Sequence, residues 1–251
     1  MTKIGEMPYL NSEIFYLNKL PQFDYINLIP KKMGIAIKEK KINAGPISLI
    51  DYFNQPNLRQ LDNYCVASKD SANSVFVFSQ KKIKEITSVS VTNQTSTSVI
   101  LLKVLNHFFW KNKNLKIKPN HFKSNSRLII GDDALKESNF SKNYTYKYDL
   151  GLEWHKNTGL PFVFAVWAYN KIREKDFNVL KNSIKYGLDN YDESIKTIIK
   201  KNKNTFLHEK IIINYISGFS YRIGNIEEKA INIFKETVSY THLRAHETPI
   251  N

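Results

Sequence analysis

Five short segments of this chain place small polar side chains directly after a strand-like run. The candidates are Asn11 and Ser12 in "PYLNS", Ser48 in "AGPIS", Ser74 in "SANSV", Ser96 and Thr97 in "TNQTSTS", and Asp132 in "IGDDA". Hydroxyl and amide groups, together with the free backbone N–H groups of a helix start, bind carboxylates and phosphates. The residue types therefore predict a site for a small anion that needs no arginine.

The segment around Ser48, "NAGPISLIDYF", has two interpretations. In the first it is a strand-to-helix turn, in which Gly45 relaxes the backbone, Pro46 occupies the first helical position and Ser48 caps the helix. In the second it is an anion site at a helix start. Taken alone the segment favours the turn. Because strand ends gather at one rim of an α/β sheet, the five segments together favour a ligand site.

The elements that must position these residues follow an α/β pattern. "DYINLI" predicts a strand, Pro30 opens a helix through "KKMGIAIKEK", and "INAGPIS" predicts the next strand. Further strands are predicted at "YCVAS", "SVFVFSQ", "SVSVTNQ" and "RLIIGDDAL". The spacing of Leu101, Val104, Leu105 and Phe108 predicts an amphipathic helix, and the chain is mostly helical from Asp176 onward.

Composition excludes several function classes. The chain lacks GxGxxG, GxxxxGK[ST], HExxH and GxSxG patterns, so we expect no nucleotide cofactor, no catalytic zinc and no serine hydrolase elbow. The single cysteine, Cys65, favours a reducing compartment. Since the first residues lack a signal-peptide pattern and no stretch of 18 apolar residues occurs, we expect a cytoplasmic protein without a membrane partner.

The formal net charge is +14, which raises the question of nucleic-acid binding. Only five of the 37 basic residues are arginine, the residue favoured for base and bidentate phosphate contacts, and the lysines are scattered. This pattern favours a general lysine and asparagine bias over a nucleic-acid site. A positive field still attracts a small anionic substrate.

The C-terminal residues 240–251 differ in composition from the rest of the chain. The sequence "SYTHLRAHETPIN" resembles translated sequencing-adapter read-through, so we predict a non-native tail. His242 and His246 are therefore not taken as metal ligands, and no metal site is predicted.

The order of the motifs resembles the chorismate dehydratase family of the futalosine route to menaquinone. The resemblance is carried by "YLNS", "AGPIS", "SVFVFS", "VSVTNQTSTSVILLKVL", "IIGDDAL" and "YDLGLEWHKNTGLPFVFAVW", and it runs from about Lys3 to Trp167. It implies a two-lobed type II periplasmic-binding-protein-like fold with the ligand cleft between the lobes. The implied bounds are 1–84 and 161–239 for a discontinuous first lobe and 85–160 for the second.

The resemblance also implies a reaction, the elimination of water from chorismate to give 3-[(1-carboxyvinyl)oxy]benzoate. By motif match, Asn11 and Ser74 are the expected catalytic residues. The expected substrate-binding residues are Ser12, Ser48, Ser96, Thr97 and Asp132. No motif offers an obvious protein base: Asp132 and Asp133 are nearest, but a turn of this kind more often caps a helix. The enolpyruvyl carboxylate of the substrate is the alternative proton acceptor.

Two departures from the family pattern bear on the site. Asn43 stands where an acidic residue usually precedes "AGPIS"; the change removes a charge near the expected site and either tunes the site or only loses a structural cap. "SAN" replaces Gly-Pro-Val before Ser74. Three other functions stay open at this point: a non-catalytic small-anion-binding protein of the same fold, the later enzyme of the pathway that acts on a cyclic futalosine-type substrate, and nucleic-acid binding.

Overall fold

The computed structural model describes residues 1–122, 124–203, 205 and 207–245, and the chain divides into two compact units. Unit 1 comprises residues 1–68 and 164–223, and unit 2 comprises residues 69–163 together with the chain from Gly224 onward. In the described part of the chain, no helix has the length and apolar character needed to cross a bilayer.

Within the described residues, unit 1 is built on a six-stranded sheet in the order β11-β4-β10-β3-β1-β2. The strands are β1 (Thr2–Glu6), β2 (Phe23–Asn27), β3 (Ala44–Ser48), β4 (Arg59–Ser68), β10 (Phe162–Tyr169) and β11 (Phe219–Arg222). β1 runs parallel to β2 and β3, whereas β10 runs antiparallel to β3 with Ala165 opposite Ser48. The sheet is therefore mixed.

The helices of unit 1 include the predicted helix at Pro30 and the helices expected from Asp176 onward. They are α1 (Pro30–Lys38), α2 (Leu49–Phe53), α6 (Glu174–Asp189), α7 (Tyr191–Lys201) and α8 (Glu209–Ser217), with a 3₁₀ helix at Leu10–Tyr16. Pro30 opens α1 as predicted. Pro46 does not open a helix, because it lies inside β3 opposite Trp167 and α2 begins only after Ser48.

Gly45 serves close packing rather than a special backbone angle. A Cβ on Gly45 would lie 3.3 Å from the Gly5 Cα and 3.1 Å from the Met33 Sδ. The small residues thus let β1, β3 and α1 approach closely, around a core that includes Met33, Ile37 and Ile47.

Unit 2 contains, within its described residues, a five-stranded sheet in the order β7-β6-β8-β5-β9. The strands are β5 (Val75–Ser79), β6 (Ser88–Val91), β7 (Lys116–Pro119), β8 (Ser126–Ile130) and β9 (Tyr146–Asp149). The helices are α3 (Thr97–Leu105), which continues as a π-helical turn to Trp110, α4 (Gly131–Phe140), α5 (Leu150–Thr158) and α9 (Asn225–Ala245). The predicted apolar face of α3 is confirmed, since Leu101, Val104 and Leu105 are fully buried.

This division differs from the predicted bounds of 1–84, 85–160 and 161–239. Residues 69–84 fall in unit 2 because β5 pairs with β8 and β9. The chain from Gly224 onward also falls in unit 2, because Phe234 of α9 packs on Trp154 and Phe162 with ring centroids 5.7 and 4.9 Å away. The predicted non-native tail lies partly in α9, and residues 246–251 are outside the described residues.

Candidate active site

The predicted residues of unit 2 all lie at one end of its sheet, which we call the unit 2 rim. β6 runs parallel to β8, and β5 runs antiparallel to both β8 and β9, so β6, β8 and β9 end at the same side where β5 begins. At this rim α3, α4 and α5 begin, and Ser74 immediately precedes β5. The rim therefore carries Ser96, Thr97 and Asp132, as expected of strand ends. Ser74 lies at the same rim, but it precedes the antiparallel strand β5 and does not directly follow a strand as predicted.

Ser74 is buried, with 2% of its surface exposed, and its Oγ donates to the Ala72 carbonyl oxygen at 3.2 Å. Its own carbonyl accepts from the Gly131 N–H at 2.8 Å. Gly131 has φ +66°, a conformation that favours glycine, which explains the glycine of "IGDDA". This backbone bond ties the Ser74 loop to the start of α4, where Asp132 occupies the first turn.

Asp149 holds the loop that precedes Ser74. Its carboxylate accepts from the backbone N–H groups of Ala72 at 3.1 Å and Asn73 at 2.6 Å, and it caps α5 by accepting from the Leu152 N–H at 3.1 Å. Asn73 adopts a left-handed conformation with φ 55°. The segment "SAN", which replaces the usual Gly-Pro-Val, is thus held by a buried carboxylate.

Burial raises the pKa of Asp149, while the backbone N–H donors, among them those of Leu152, Ala72 and Asn73, lower it in part. Only 5% of the Asp149 surface is exposed. The carboxylate therefore receives its hydrogen bonds from these backbone N–H groups and not from water. We had not selected Asp149 from the sequence. Its position directly before a helix signalled a cap, but the contact with Ala72 and Asn73 spans more than 70 residues of chain.

The start of α3 is capped by Thr95 and not by the predicted binding residues. The Thr95 Oγ1 accepts from the Ser98 N–H at 3.3 Å and donates to the Ser98 Oγ at 3.2 Å. Ser96 makes no side-chain capping bond and is half-buried, whereas Thr97 is 2% exposed. The capping role is therefore filled by Thr95, and the Ser96 hydroxyl is not needed for it.

The predicted residues of unit 1 also share one end of their sheet, the unit 1 rim. β1 and β3 run parallel, so the 3₁₀ helix after β1 and α2 after β3 begin on the same side. This rim carries Asn11, Ser12 and Ser48. Ser12 is buried and its Oγ donates to the Asn11 Oδ1 at 3.1 Å, which fixes the amide orientation and leaves the Asn11 NH₂ group outward from that bond.

Ser48 caps α2, which confirms the capping part of the first interpretation, whereas Pro46 lies inside β3 and not at a first helical position. The Asp51 N–H donates to the Ser48 Oγ at 3.3 Å, and the Ser48 Oγ donates to the Asp51 Oδ2 at 2.6 Å. Asp51 in turn packs on α1, where a Cβ on Gly34 would lie 2.5 Å from the carboxylate. Asp51 is a second carboxylate that we had not selected from the sequence, although Ser-x-x-Asp is a capping pattern.

Asn43 lies at the opposite end of β3 from Ser48, so the structure favours a structural role for this position over an effect on the charge of the site. Its Oδ1 accepts from the Lys3 N–H at 2.9 Å and its Nδ2 donates to the Lys171 carbonyl oxygen at 3.2 Å. A carboxylate could not make the second bond, because it has no proton to donate. Asn43 is a structural residue that joins β1 to the loop after β10.

Comparison with known proteins identifies the family of the chain. A family model described as menaquinone biosynthesis matches residues 2–240. The chain is 22% identical over 260 residues to a Thermus thermophilus protein named chorismate dehydratase, covering 94% of each chain. It is 30% identical over 170 residues to a Campylobacter jejuni protein of the same name, covering 64% of each.

Solved structures show the fold. A protein of Archaeoglobus fulgidus matches with a TM-score of 0.72 at 13% identity, covering 96% of this chain and 97% of the other. A Candida albicans protein described as having the generic periplasmic-binding-protein fold matches with a TM-score of 0.62 at 11% identity, covering 100% and 92%. The predicted fold class is therefore confirmed.

Proposed function

The chain belongs to the menaquinone-biosynthesis family, and on that premise we propose that it is a chorismate dehydratase, a hydro-lyase that removes water from chorismate to give 3-[(1-carboxyvinyl)oxy]benzoate. The observation that carries the proposal is the match to a protein of that name over 94% of both chains. The family model adds a match over residues 2–240.

In this reaction the main task of the enzyme is to orient the substrate, because the step itself is favourable. The ring loses its C3 proton, the C3–H electron pair enters the ring, and the C4–O bond breaks with the hydroxyl leaving, so that the proton and hydroxyl make up one water. Because the product ring is aromatic, the step runs downhill. Holding the substrate in a reactive geometry supplies about 7–11 kcal/mol in favourable cases.

The unit 2 rim suits one carboxylate of this dianion. The first turns of α3 and α4 begin there, and helix starts attract negative charge through their N–H groups and dipoles. We assign a carboxylate contact to Ser96 and Thr97 at the start of α3. Asp132 lies in the first turn of α4, where a negative side chain opposes a second anion, so we assign it an orienting role toward a polar group of the substrate.

The unit 1 rim suits the leaving hydroxyl. Asn11 has its amide oxygen engaged by Ser12, so its NH₂ group is oriented to donate. We assign Asn11 to the C4 hydroxyl, where a donor stabilises the charge that develops as the C–O bond breaks. Ser12 acts through Asn11 and is a positioning residue in this assignment.

Ser48 and Ser74 can contact a substrate carboxylate only if their hydroxyl groups first give up their present hydrogen bonds. The Ser48 hydroxyl donates to Asp51 and the Ser74 hydroxyl donates to Ala72. Since a hydroxyl has one proton, each must turn away from its present acceptor before it donates to the substrate. We therefore propose that these contacts form only when chorismate is bound, and that the enolpyruvyl carboxylate of chorismate accepts the C3 proton.

Mixing the purified chain with chorismate tests the function directly. The expected result is loss of chorismate absorbance with appearance of the aromatic product in equal amount. If chorismate raises the melting temperature and no product forms, the chain is a small-anion-binding protein and the enzyme proposal is wrong. Turnover of a cyclic futalosine-type substrate in place of chorismate would instead assign the later enzyme.

A cytoplasmic location is part of the proposal. Cys65 is the single cysteine of the sequence and is buried, so the chain cannot form an internal disulfide, which suits a reducing compartment. Cell fractionation with an antibody to the chain would test it, and recovery in the periplasmic fraction would contradict it.

A further inference from the structure

Unit 1 has a polar cavity at the end of its sheet opposite the unit 1 rim. The cavity measures about 810 Å³, within the usual size of small-molecule sites. Residues of four segments line it: the loop after β10, the turn after α1, the start of β4 and the first turns of α6. Since Tyr169 pairs with Ala44 and Ala165 with Ser48, the cavity lies roughly 13 Å or more along the sheet from Ser48.

We propose that this cavity, here called the basic pocket, binds a phosphate monoester that carries a flat ring, the chemistry of a mononucleotide. The charged side chains that line it are Lys40, Arg59, Lys171 and Glu174. Their formal charges sum to +2. A phosphate monoester carries about −1.5 to −2 at pH 7, so its charge matches that of the lining.

The cations of the basic pocket have no carboxylate partner among the described residues. The neighbouring Arg173 is neutralised by Asp176 at 2.8 Å, and Lys41 by Glu39 at 2.6 Å, but no ion pair engages Lys40, Arg59 or Lys171 in the part of the chain that the structure describes. Like charges that line one cavity repel each other. A bound dianion removes that repulsion, which favours an anionic ligand over an empty or neutral one.

The backbone at the two pocket lysines is well defined, although their side chains are exposed. Lys171 has φ 45° and Lys40 has φ 58°, both in the left-handed region. The loop of Lys171 is fixed by Asn43, which donates to the Lys171 carbonyl oxygen at 3.2 Å and accepts at its own carbonyl oxygen from the Asn170 N–H at 2.8 Å. The loop is therefore ordered before any ligand arrives.

The rest of the lining suits a heteroaromatic ring. Tyr169 and Phe177 line the cavity with ring centroids 5.3 Å apart, and both are half-buried. Aromatic side chains stack on bases. Asn57, Asn170 and Asn178 add amides, which both donate and accept, as the polar edge of such a ring requires.

Isothermal titration of the full chain with AMP at low salt tests the proposal. We expect one AMP per chain, with adenosine and ribose 5-phosphate each bound at least about tenfold more weakly, because each lacks one of the recognised parts. Arg59→Ala and Lys171→Asn should each weaken AMP binding about tenfold, the loss of one charge-assisted hydrogen bond. Asparagine is chosen because it tolerates the left-handed backbone at Lys171.

Lys210→Ala is the matched control, since it removes one exposed positive charge in α8, outside the pocket. It should change AMP affinity less than twofold. The proposal is overturned if AMP does not bind at millimolar concentration, if Lys210→Ala weakens binding as much as Arg59→Ala, or if ribose 5-phosphate binds as tightly as AMP. Chorismate turnover should be the same in Arg59→Ala as in the wild type, so this test is independent of the proposed reaction.

Discussion

The two rims carry polar side chains after their strands, but different elements follow. In unit 1 the chain enters a 3₁₀ helix of seven residues after β1 and an α-helix of five residues after β3. In unit 2 it enters α-helices of nine, ten and nine residues after β6, β8 and β9. Short helices add little aligned dipole, so the unit 1 rim offers mainly side chains and the unit 2 rim offers helix starts as well.

The carboxylates of the rims differ in the same way. Asp51 is half-buried and bonds within its own helix turn to Ser48. Asp149 is buried and bonds to Ala72 and Asn73, far away along the chain. The comparison teaches that the unit 1 rim is stabilised locally, whereas the unit 2 rim depends on a long-range contact. Mutations at the two rims should therefore have different consequences.

Asn11→Ala should have the largest effect. If the unit 1 rim works through a side chain, removal of the Asn11 amide lowers kcat for chorismate about 10²–10³-fold, as for loss of one donor to a developing charge. Steady-state kinetics with the aromatic product as readout would measure it. Asn214→Ala, an exposed amide on α8, is the control and should leave kcat unchanged.

Asp132→Ala, assayed beside Asn11→Ala, shows whether Asp132 or the enolpyruvyl carboxylate of the substrate accepts the C3 proton. With the substrate carboxylate as proton acceptor, kcat should fall less than about tenfold, because Asp132 then only orients the substrate. A complete loss of rate in Asp132→Ala, with normal folding, would instead make Asp132 the base and would refute the substrate-base proposal.

Asp149→Asn should lower the free energy of unfolding by about 2–3 kcal/mol, since the amide cannot accept from all the N–H groups that the carboxylate holds and leaves buried groups unpaired. Asp51→Asn should cost about 1 kcal/mol or less, because the Asp51 side chain is half-buried and the bond from the Asp51 N–H to the Ser48 cap is kept. Urea denaturation of both variants measures the difference. An equal loss of unfolding free energy in the two variants would contradict the view that the unit 1 rim is stabilised locally and the unit 2 rim by a long-range contact.

The pH dependence of Asp149→Asn gives a second readout. Burial raises the pKa of Asp149 in the folded chain above its ordinary value of 3.8. The folded state then holds the proton to higher pH than the unfolded chain does. Relative to Asp149→Asn, the wild type should therefore lose stability as the pH rises from below 3.8 through the folded pKa. A difference that is constant with pH would show that the shift is absent.

Thr95→Ala and Ser96→Ala should separate stability from binding within the unit 2 rim. Thr95 caps α3, so its loss costs about 1 kcal/mol of unfolding free energy. Ser96 makes no capping bond, so its loss should leave stability within about 0.5 kcal/mol. KM for chorismate should rise in Ser96→Ala. An unchanged KM would remove Ser96 from the proposed site.

Asn43→Asp should have the smallest effect on function. It tests whether a residue at the opposite end of β3 from Ser48 takes part in substrate binding. The carboxylate cannot donate to the Lys171 carbonyl oxygen, so the free energy of unfolding should fall by about 1 kcal/mol. The KM for chorismate should not change, because Asn43 is remote from Ser48. An altered KM would return Asn43 to the site.

Much of the fold could be predicted from local patterns. Pro30 opened a helix, Ser48 capped one, and the spacing of Leu101, Val104 and Leu105 marked a buried face. These features depend on neighbours a few residues away. Pro46 failed as a helix signal because pairing with β10, more than a hundred residues later, extended β3 through it.

The grouping of the candidate residues could be predicted in part. Asn11, Ser12 and Ser48 share one rim, and Ser96, Thr97 and Asp132 share the other, because the strands before them run parallel within each unit. Ser74 joins the second rim through the antiparallel strand β5, which the sequence did not indicate. The supporting carboxylates Asp51 and Asp149 were missed, because a cap is visible in sequence while its second hydrogen-bond partner is not.

The sequence by itself determined the family, through the order of its motifs. It also determined the α/β class and the polar character of the strand ends, since these are set by residue types and by short-range periodicity. Only the tertiary structure decided that β5 and α9 belong to unit 2, that Asp149 holds the loop before Ser74, and that Asn43 lies away from Ser48. The physical reason is that strand pairing and side-chain burial join residues far apart in the chain, and the energy of such contacts depends on the whole packed unit and not on the local segment.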